Sequence, residues 1–202
     1  NAPRPNENVV KFLKKIGLKK YFENVFTSGE TAHKYLVSEL DKQKFFHIGP
    51  PRDFDLFKNI EKNNVLNIED ADYLLCTGLF DDHENDLNYY KNLLSNHISK
   101  KMICTNPDLI VDRGKKREYC AGSVAKSFEE IKGKVIYFGK PHPPVYNLSI
   151  NVINKKVLCI GDNLNTDIKG ANIQNFDSLL ITNGIHKKEI SEIELKQVLK
   201  KY

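Results

Sequence analysis

The hydrophobic positions of this chain fall into short continuous runs separated by longer amphipathic stretches. Six runs read as strands: 44–48 (KFFHI), 73–77 (YLLCT), 101–105 (KMICT), 135–138 (VIYF), 157–160 (VLCI) and 178–182 (SLLIT). Several contain continuous apolar stretches, as expected where a strand is covered on both faces. Between them, apolar residues recur at helical spacing over 7–16, 31–40, 54–62, 84–96, 122–131, 143–150, 166–173 and 188–201. Ser28-Gly29 ahead of the second stretch and Pro143-Pro144 in the first turn of another suit helix starts. Strands alternating with helices predict an α/β fold, a parallel sheet with helices on both faces.

Three of the runs stop in small or acidic residues: YLLCTG, MICTNPD and VLCIGDN. Ligands of open α/β sheets bind at the carboxyl ends of the strands, so chemistry is expected at these stops. Segment 157–171 (VLCIGDNLNTDIKGA) is the most informative. It delivers Gly161 for a tight turn, then Asp162, then Asp167 at the start of a helix whose dipole favours an anion. Two carboxylates so placed can converge on a hard cation such as Mg2+. Taken singly, Asp162 also reads as a turn residue, and Asp167 as a first-turn acid or a cap shared with Thr166. Segment 135–146 (VIYFGKPHPPVY) repeats the arrangement, with Lys140 between Gly139 and Pro141 as a compact charge suited to a phosphoryl group. His142 reads as a structural residue at a helix entry, with substrate contact as the alternative.

Composition narrows the function classes. The chain has 202 residues, 40% hydrophobic and 28% charged, enough for a real core in one or two domains. No apolar stretch reaches the length of a membrane span, and the first residues carry no secretory h-region. Net charge is +5, but only four basic residues are Arg (Arg4, Arg52, Arg113, Arg117). A dispersed Lys surplus with few Arg argues against nucleic acid as a partner. Lys11, Lys14, Lys15, Lys19 and Lys20 read as the solvated face of a helix. Cys76, Cys104, Cys120 and Cys159 form no CxxC pair, and free buried thiols in a reducing cytoplasm fit them best. The acidic run 81–86 lacks the Gly and terminal Glu of a calcium loop and reads as a helix N-terminus.

GKPHP followed by GDNLNTDIKGA resembles motifs three and four of the haloacid dehalogenase (HAD) superfamily, and within it the class IIA, NagD-like phosphatases. NAPRP at the start is similar to the tail of motif two. VFTSGE resembles the passage from core to cap, and HIGPPRDFD, YLLCTGLFDD and MICTNPD resemble successive segments of the cap. These segments span essentially the whole chain in order.

The resemblance implies a Rossmann-like HAD core, residues 1–26 and 135–202, with an inserted α/β cap domain at 27–134. It implies a Mg2+-dependent phosphatase acting through an aspartyl phosphate on a small phosphorylated metabolite, a sugar phosphate or nucleotide monophosphate. Lys140 would pair with the nucleophile and phosphate, Asp162 would ligate Mg2+, and Asp167 would support that site. The Asn1 N–H would help hold the phosphate. Asn106 and Asp108 in the cap would contact a sugar or base, although Asn-Pro-Asp is also simply a turn. Arg113, Lys115, Lys116 and Arg117 would attract an anion or form a solvated basic loop. A homodimer through the cap is a further implication. The Asp-x-Asp-Gly nucleophile motif is absent from the chain, and residue 1 is not Met. The expectation is therefore an N-terminally truncated core, inactive by itself, with the nucleophile upstream. The alternative is a non-catalytic binder of a phosphorylated ligand.

Overall fold

The protein was described from a computed structural model covering residues 1–20, 24–114, 116–150 and 155–200. The chain forms two compact units, Asn1–Gly139 and Lys140–Tyr202.

The first unit opens with α1 (Asn6–Lys15) and α2 (Ser28–Glu39). None of the α1 residues is buried, in keeping with a Lys-rich solvated face. Thr27, not Ser28 or Gly29, caps α2: its hydroxyl accepts the Glu30 N–H at 3.0 Å. The helix therefore begins three residues before the position its apolar spacing predicts. A parallel sheet follows, built from β1 (Phe45–Ile48), β2 (Asn64–Val65), β3 (Tyr73–Cys76), β4 (Lys101–Cys104) and, after a hairpin and helix, β7 (Lys134–Tyr137). Its order is β2-β1-β3-β4-β7. Two helices complete this part, α3 (Leu87–Leu94) and α4 (Ala121–Glu130).

Strand parity sends alternate side chains to opposite faces. Leu74, Cys76, Met102 and Cys104 pack with Tyr90, Leu94, Val124 and Phe128 from α3 and α4. Tyr73, Leu75 and Ile103 pack on the other face with Ala32 and Leu36 of α2 and with Leu56, Phe57 and Ile60. The α/β layering predicted from the patterning is present, with the continuous apolar runs as its buried strands.

Several expectations shift. Residues 54–62 are not an α-helix: Pro51–Phe57 and Glu61–Asn63 are 3-10 turns. The helix expected over 84–96 contracts to α3, because the Asp86 carboxylate caps it by accepting the Tyr89 N–H at 3.0 Å. A hairpin was not anticipated: β5 (Ile110–Arg113) and β6 (Lys116–Tyr119) pair antiparallel. Apart from the half-buried Ile110, its apolar residues Val111 and Tyr119 are exposed and the rest are polar, so it carries little apolar periodicity. Strand β7 pairs with β4 from Lys101↔Lys134 to Cys104↔Tyr137, which places 134–139 in the first unit. Residues 1–20 also group there.

The second unit contains α5 (Pro143–Ser149), β8 (Leu158–Gly161), a π-turn at Leu164–Ile168, α6 (Lys169–Ile173), β9 (Asp177–Leu180), α7 (Lys187–Glu192) and α8 (Leu195–Leu199). Strands β8 and β9 run parallel, with Leu158↔Asp177 and Gly161↔Leu180 in register. The helix expected over 188–201 is two short helices, broken at Ile193, whose backbone is extended; residue 201 lies outside the described residues. Pro143 and Pro144 occupy the first turn of α5, as expected. Cys76, Cys104 and Cys120 are buried free thiols, whereas Cys159 is only half-buried.

Candidate active site

In the second unit, strand β8 ends at Gly161, and the chain turns through Asp162 and Asn163 into the π-turn. Asp167 folds back beneath this turn. Its Oδ2 accepts the N–H groups of Asp162 and Asn163, each at 3.1 Å, and its Oδ1 pairs with Lys140 Nζ. Gly161 is required here, because a Cβ at that position would run into the Asp167 carboxylate. A carboxylate bonded by two backbone donors and an ammonium is held in one orientation. Asp167 thus ties the Asp162 loop to Lys140.

Asp162 points elsewhere. Its Oδ2 accepts the Ile185 N–H at 3.1 Å, and it lies against Gly184, where a Cβ would collide with the carboxylate. The second anchor of the loop is His186. Its Nε2 accepts the Leu164 N–H at 3.2 Å, which leaves the proton on Nδ1, 3.2 Å from Glu189 Oε2. Gly184, His186 and Glu189 were not singled out from sequence. The signal available was the segment NGIHKKE following the SLLIT run, a strand end like the others. Burial raises the Cys159 thiol above its ordinary value, so the thiolate is disfavoured.

Both oxygens of Asp167 are engaged within the chain, Oδ2 by the backbone N–H groups and Oδ1 by Lys140, while Asp162 Oδ2 accepts the Ile185 N–H. Among the described residues no three His, Cys, Asp or Glu side chains form a metal cluster. Mg2+ takes about six oxygen ligands. The described residues on their own do not compose such a site. His142 stands at the N-cap of α5, with backbone φ −77° and ψ 140°.

The remaining candidates lie in the first unit. Asn1 Nδ2 donates to Asp108 Oδ1 at 3.0 Å, and Asn106 Oδ1 accepts the Asp108 N–H at 3.0 Å. Asn-Pro-Asp is therefore a side-chain-stabilised turn, and Asn1, Asn106 and Asp108 also line one cleft. The basic loop is ion-paired: Arg117 with Asp112 at 2.8 Å, and Lys116 with Glu84 at 3.0 Å. Lys115 lies outside the described residues. In the acidic run, Asp81 pairs with Arg52 at 2.7 Å and Asp86 caps α3.

Comparison with known proteins follows this geometry. Residues 137–200 match a family model described as HAD-hydrolase-like. A haloacid dehalogenase-like hydrolase from Brucella suis superposes with a TM-score of 0.82 at 31% identity, over 95% of this chain and 77% of that one. The chain belongs to the haloacid dehalogenase-like hydrolases. Within them it is a class IIA, NagD-like member. The ribonucleotide monophosphatase NagD of Escherichia coli is 29% identical over 89 residues, 42% of this chain and 34% of NagD. The matched segment thus spans about a third of that curated relative. A glycerol phosphate phosphatase from Mycobacterium tuberculosis, in complex with calcium, shares the fold with a TM-score of 0.66 at 23% identity, over 92% of this chain and 56% of that one. In this HAD-like hydrolase, GKPHP and GDNLNTD are the segments that meet through the Lys140–Asp167 pair.

Proposed function

We propose that this HAD-like hydrolase is part of a phosphatase that cleaves a small phosphate ester, a sugar phosphate or a nucleotide monophosphate. The observation that carries the reading is the Lys140–Asp167–Asp162 arrangement. One carboxylate orients a lysine and, through two backbone N–H groups, sets the loop that presents a second carboxylate. The Escherichia coli ribonucleotide monophosphatase and the Mycobacterium tuberculosis glycerol phosphate phosphatase support the substrate class.

The HAD resemblance gives the nucleophilic and the acid–base roles to an Asp-x-Asp-Gly motif, which is not among these 202 residues. In the first step the nucleophile's oxygen bonds to phosphorus as the ester P–O bond breaks, and the general acid protonates the departing alkoxide. Water then attacks the phosphoryl group, the same acid acting as base, which releases phosphate and restores the carboxylate. Lys140 neutralises charge on the non-bridging oxygens in both steps. Asp167 keeps the Lys140 ammonium extended along one direction. We assign residues 27–134 to the cap, and assign Asn106 and Asp108 to the organic part of the substrate. Asp162 supplies a carboxylate to a divalent cation, taken to be Mg2+. The Mycobacterium tuberculosis phosphatase, solved with calcium and with magnesium, supports that choice.

The test is phosphate release by the full-length protein from a panel of sugar phosphates and nucleoside monophosphates, with Mg2+ and with EDTA. Release that EDTA abolishes is expected, and Asp162→Asn should lower turnover at least about a hundredfold. No release from any ester, with tight binding of several, would replace the phosphatase by the non-catalytic binder.

A further inference from the structure

The turn that follows β8 is held from two places, both in the second unit. The consecutive N–H groups of Asp162, Asn163, Leu164 and Asn165 all have acceptors. Three are satisfied within the turn: Asp167 Oδ2 accepts the first two at 3.1 Å, and Asn163 Oδ1 accepts that of Asn165 at 2.9 Å. The Leu164 N–H instead bonds to a distant residue, His186, whose Nε2 lies at 3.2 Å. Leu164 is 1% exposed, so water does not reach that N–H, and leaving it unpaired would be costly.

His186 stands at the N-cap of α7, next to Ile185, whose N–H bonds the Asp162 carboxylate at 3.1 Å. One short segment thus grips the turn twice, Ile185 by the Asp162 side chain and His186 by the Leu164 backbone. An N–H can bond Nε2 only where that nitrogen carries a lone pair, so the proton of the neutral imidazole sits on Nδ1. Glu189, in the first turn of α7, lies 3.2 Å from Nδ1 and accepts that proton's hydrogen bond. A carboxylate behind an imidazole fixes its tautomer and orientation and makes the far nitrogen a better acceptor. Both side chains are shielded, His186 at 11% and Glu189 at 26% exposure. The Ile190 N–H bonds back to the His186 carbonyl at 2.9 Å, which anchors the backbone that carries the ring.

The grip bears on the neighbouring carboxylate. Among the described residues Asp162 Oδ1 accepts no hydrogen bond, so it is the oxygen available to a cation. A cation ligand works only when held to within about 0.5 Å of its productive place. Asp162 lies two residues from the Leu164 N–H and one bond from Ile185, so movement of either anchor displaces it. Resting on the reading of Asp162 as a ligand to Mg2+, we propose that His186 is a positioning residue for that carboxylate. Its Nε2 holds the turn after β8, and Glu189 keeps the imidazole in the tautomer that can accept.

The experiment uses the full-length protein. The His186 nitrogen shifts, read in long-range proton–nitrogen spectra, should place the proton on Nδ1. Mg2+ binding, followed by calorimetry, should weaken about tenfold in His186→Asn, whose amide falls short of the Leu164 N–H. It should return to within about threefold in His186→Gln, whose carbonyl oxygen reaches the place of Nε2. In turnover of a phosphate ester, His186→Asn should raise the Mg2+ concentration for half-maximal rate by about tenfold and leave kcat at saturating Mg2+ within about threefold. Damage to the fold alone would be neither repaired by the longer amide nor cancelled by Mg2+. A proton on Nε2, or unchanged Mg2+ binding in His186→Asn, overturns the proposal and leaves the phosphatase reading standing. Absence of Mg2+ binding to the unaltered protein overturns the reading of Asp162 and the proposal with it. Should His186→Asn not give a native spectrum, Glu189→Ala decides: it frees the tautomer and should weaken Mg2+ binding about threefold, and equal binding overturns the proposal.

Discussion

The two units bury their sheets to different extents. In the first, Leu74, Leu75, Met102 and Ile103 are completely buried, with helices against both faces. In the second, Leu158 and Ile160 of β8 are 57% and 61% exposed, and Leu179 of β9 is 48% exposed. Both sheets are parallel, and parallel strands are ordinarily covered on both sides. The first unit accordingly carries its own core. In the second, local hydrogen bonds about Asp167 and His186 hold the functional loop, while apolar side chains of β8 and β9 face solvent among the described residues.

The largest effect that tests this contrast is a core truncation. Leu75→Ala should cost about 2–5 kcal/mol of stability, since Leu75 packs between α2 and neighbouring strands with no solvent exposure. Denaturant unfolding checks it, and a loss below about 1 kcal/mol would mean that the first unit's core is not the anchor described here.

Acid sharpens the contrast further. The folded pKa of His47 is depressed by burial from 6.5 to about 3. Its contribution is thus fully present above 6.5 and is lost as pH falls toward 3. The folded pKa of Asp53 is raised from 3.8 to about 6, chiefly by burial. Its contribution runs the opposite way, present below 3.8 and lost as pH rises through 6. His47→Gln removes the first and leaves the second. Between pH 7 and pH 4 the stability of this variant relative to the unaltered protein should rise by about 3 kcal/mol. Urea unfolding at both pH values reads this directly, and parallel curves for the two proteins would show that His47 does not set the acid sensitivity.

The smallest effect is expected in the second unit. Ile160→Thr should change stability by less than about 1 kcal/mol, because the side chain is mostly exposed and Thr keeps the β-branch. A loss comparable to that of Leu75→Ala would mean that Ile160 is covered in the working protein, and the contrast between the units would disappear.

Local order decided how far the sequence could be read. Strands β1, β3, β4, β7, β8 and β9 all lie within or one residue from runs recognisable by apolar continuity. The Lys140 and Asp162–Asp167 segments stood out because a Gly followed by a charged residue after an apolar run is a local pattern. The resemblance to HAD class IIA proteins rested on such contiguous segments, and the family assignment agrees with it. Local spacing misread 54–62 as an α-helix, since a run with apolar positions three and four apart also suits consecutive 3-10 turns. The hairpin β5–β6 has no apolar stripe to betray it.

By itself, then, the amino-acid sequence determined the α/β class, the strand positions and the residues offered at the strand ends. Only tertiary structure decided which of those ends are neighbours. Pairing in a parallel sheet is set by packing between residues far apart in the chain, so the order β2-β1-β3-β4-β7 is not written in any one segment. That order brings Thr77 to Asp53 and His47, residues separated by up to 30 positions, and makes one polar cleft of them. It was likewise the fold, not the spacing of two aspartates, that joined Asp167 to Lys140 and to the Asp162 loop, because the backbone N–H groups of the tight turn after Gly161 lie within its reach.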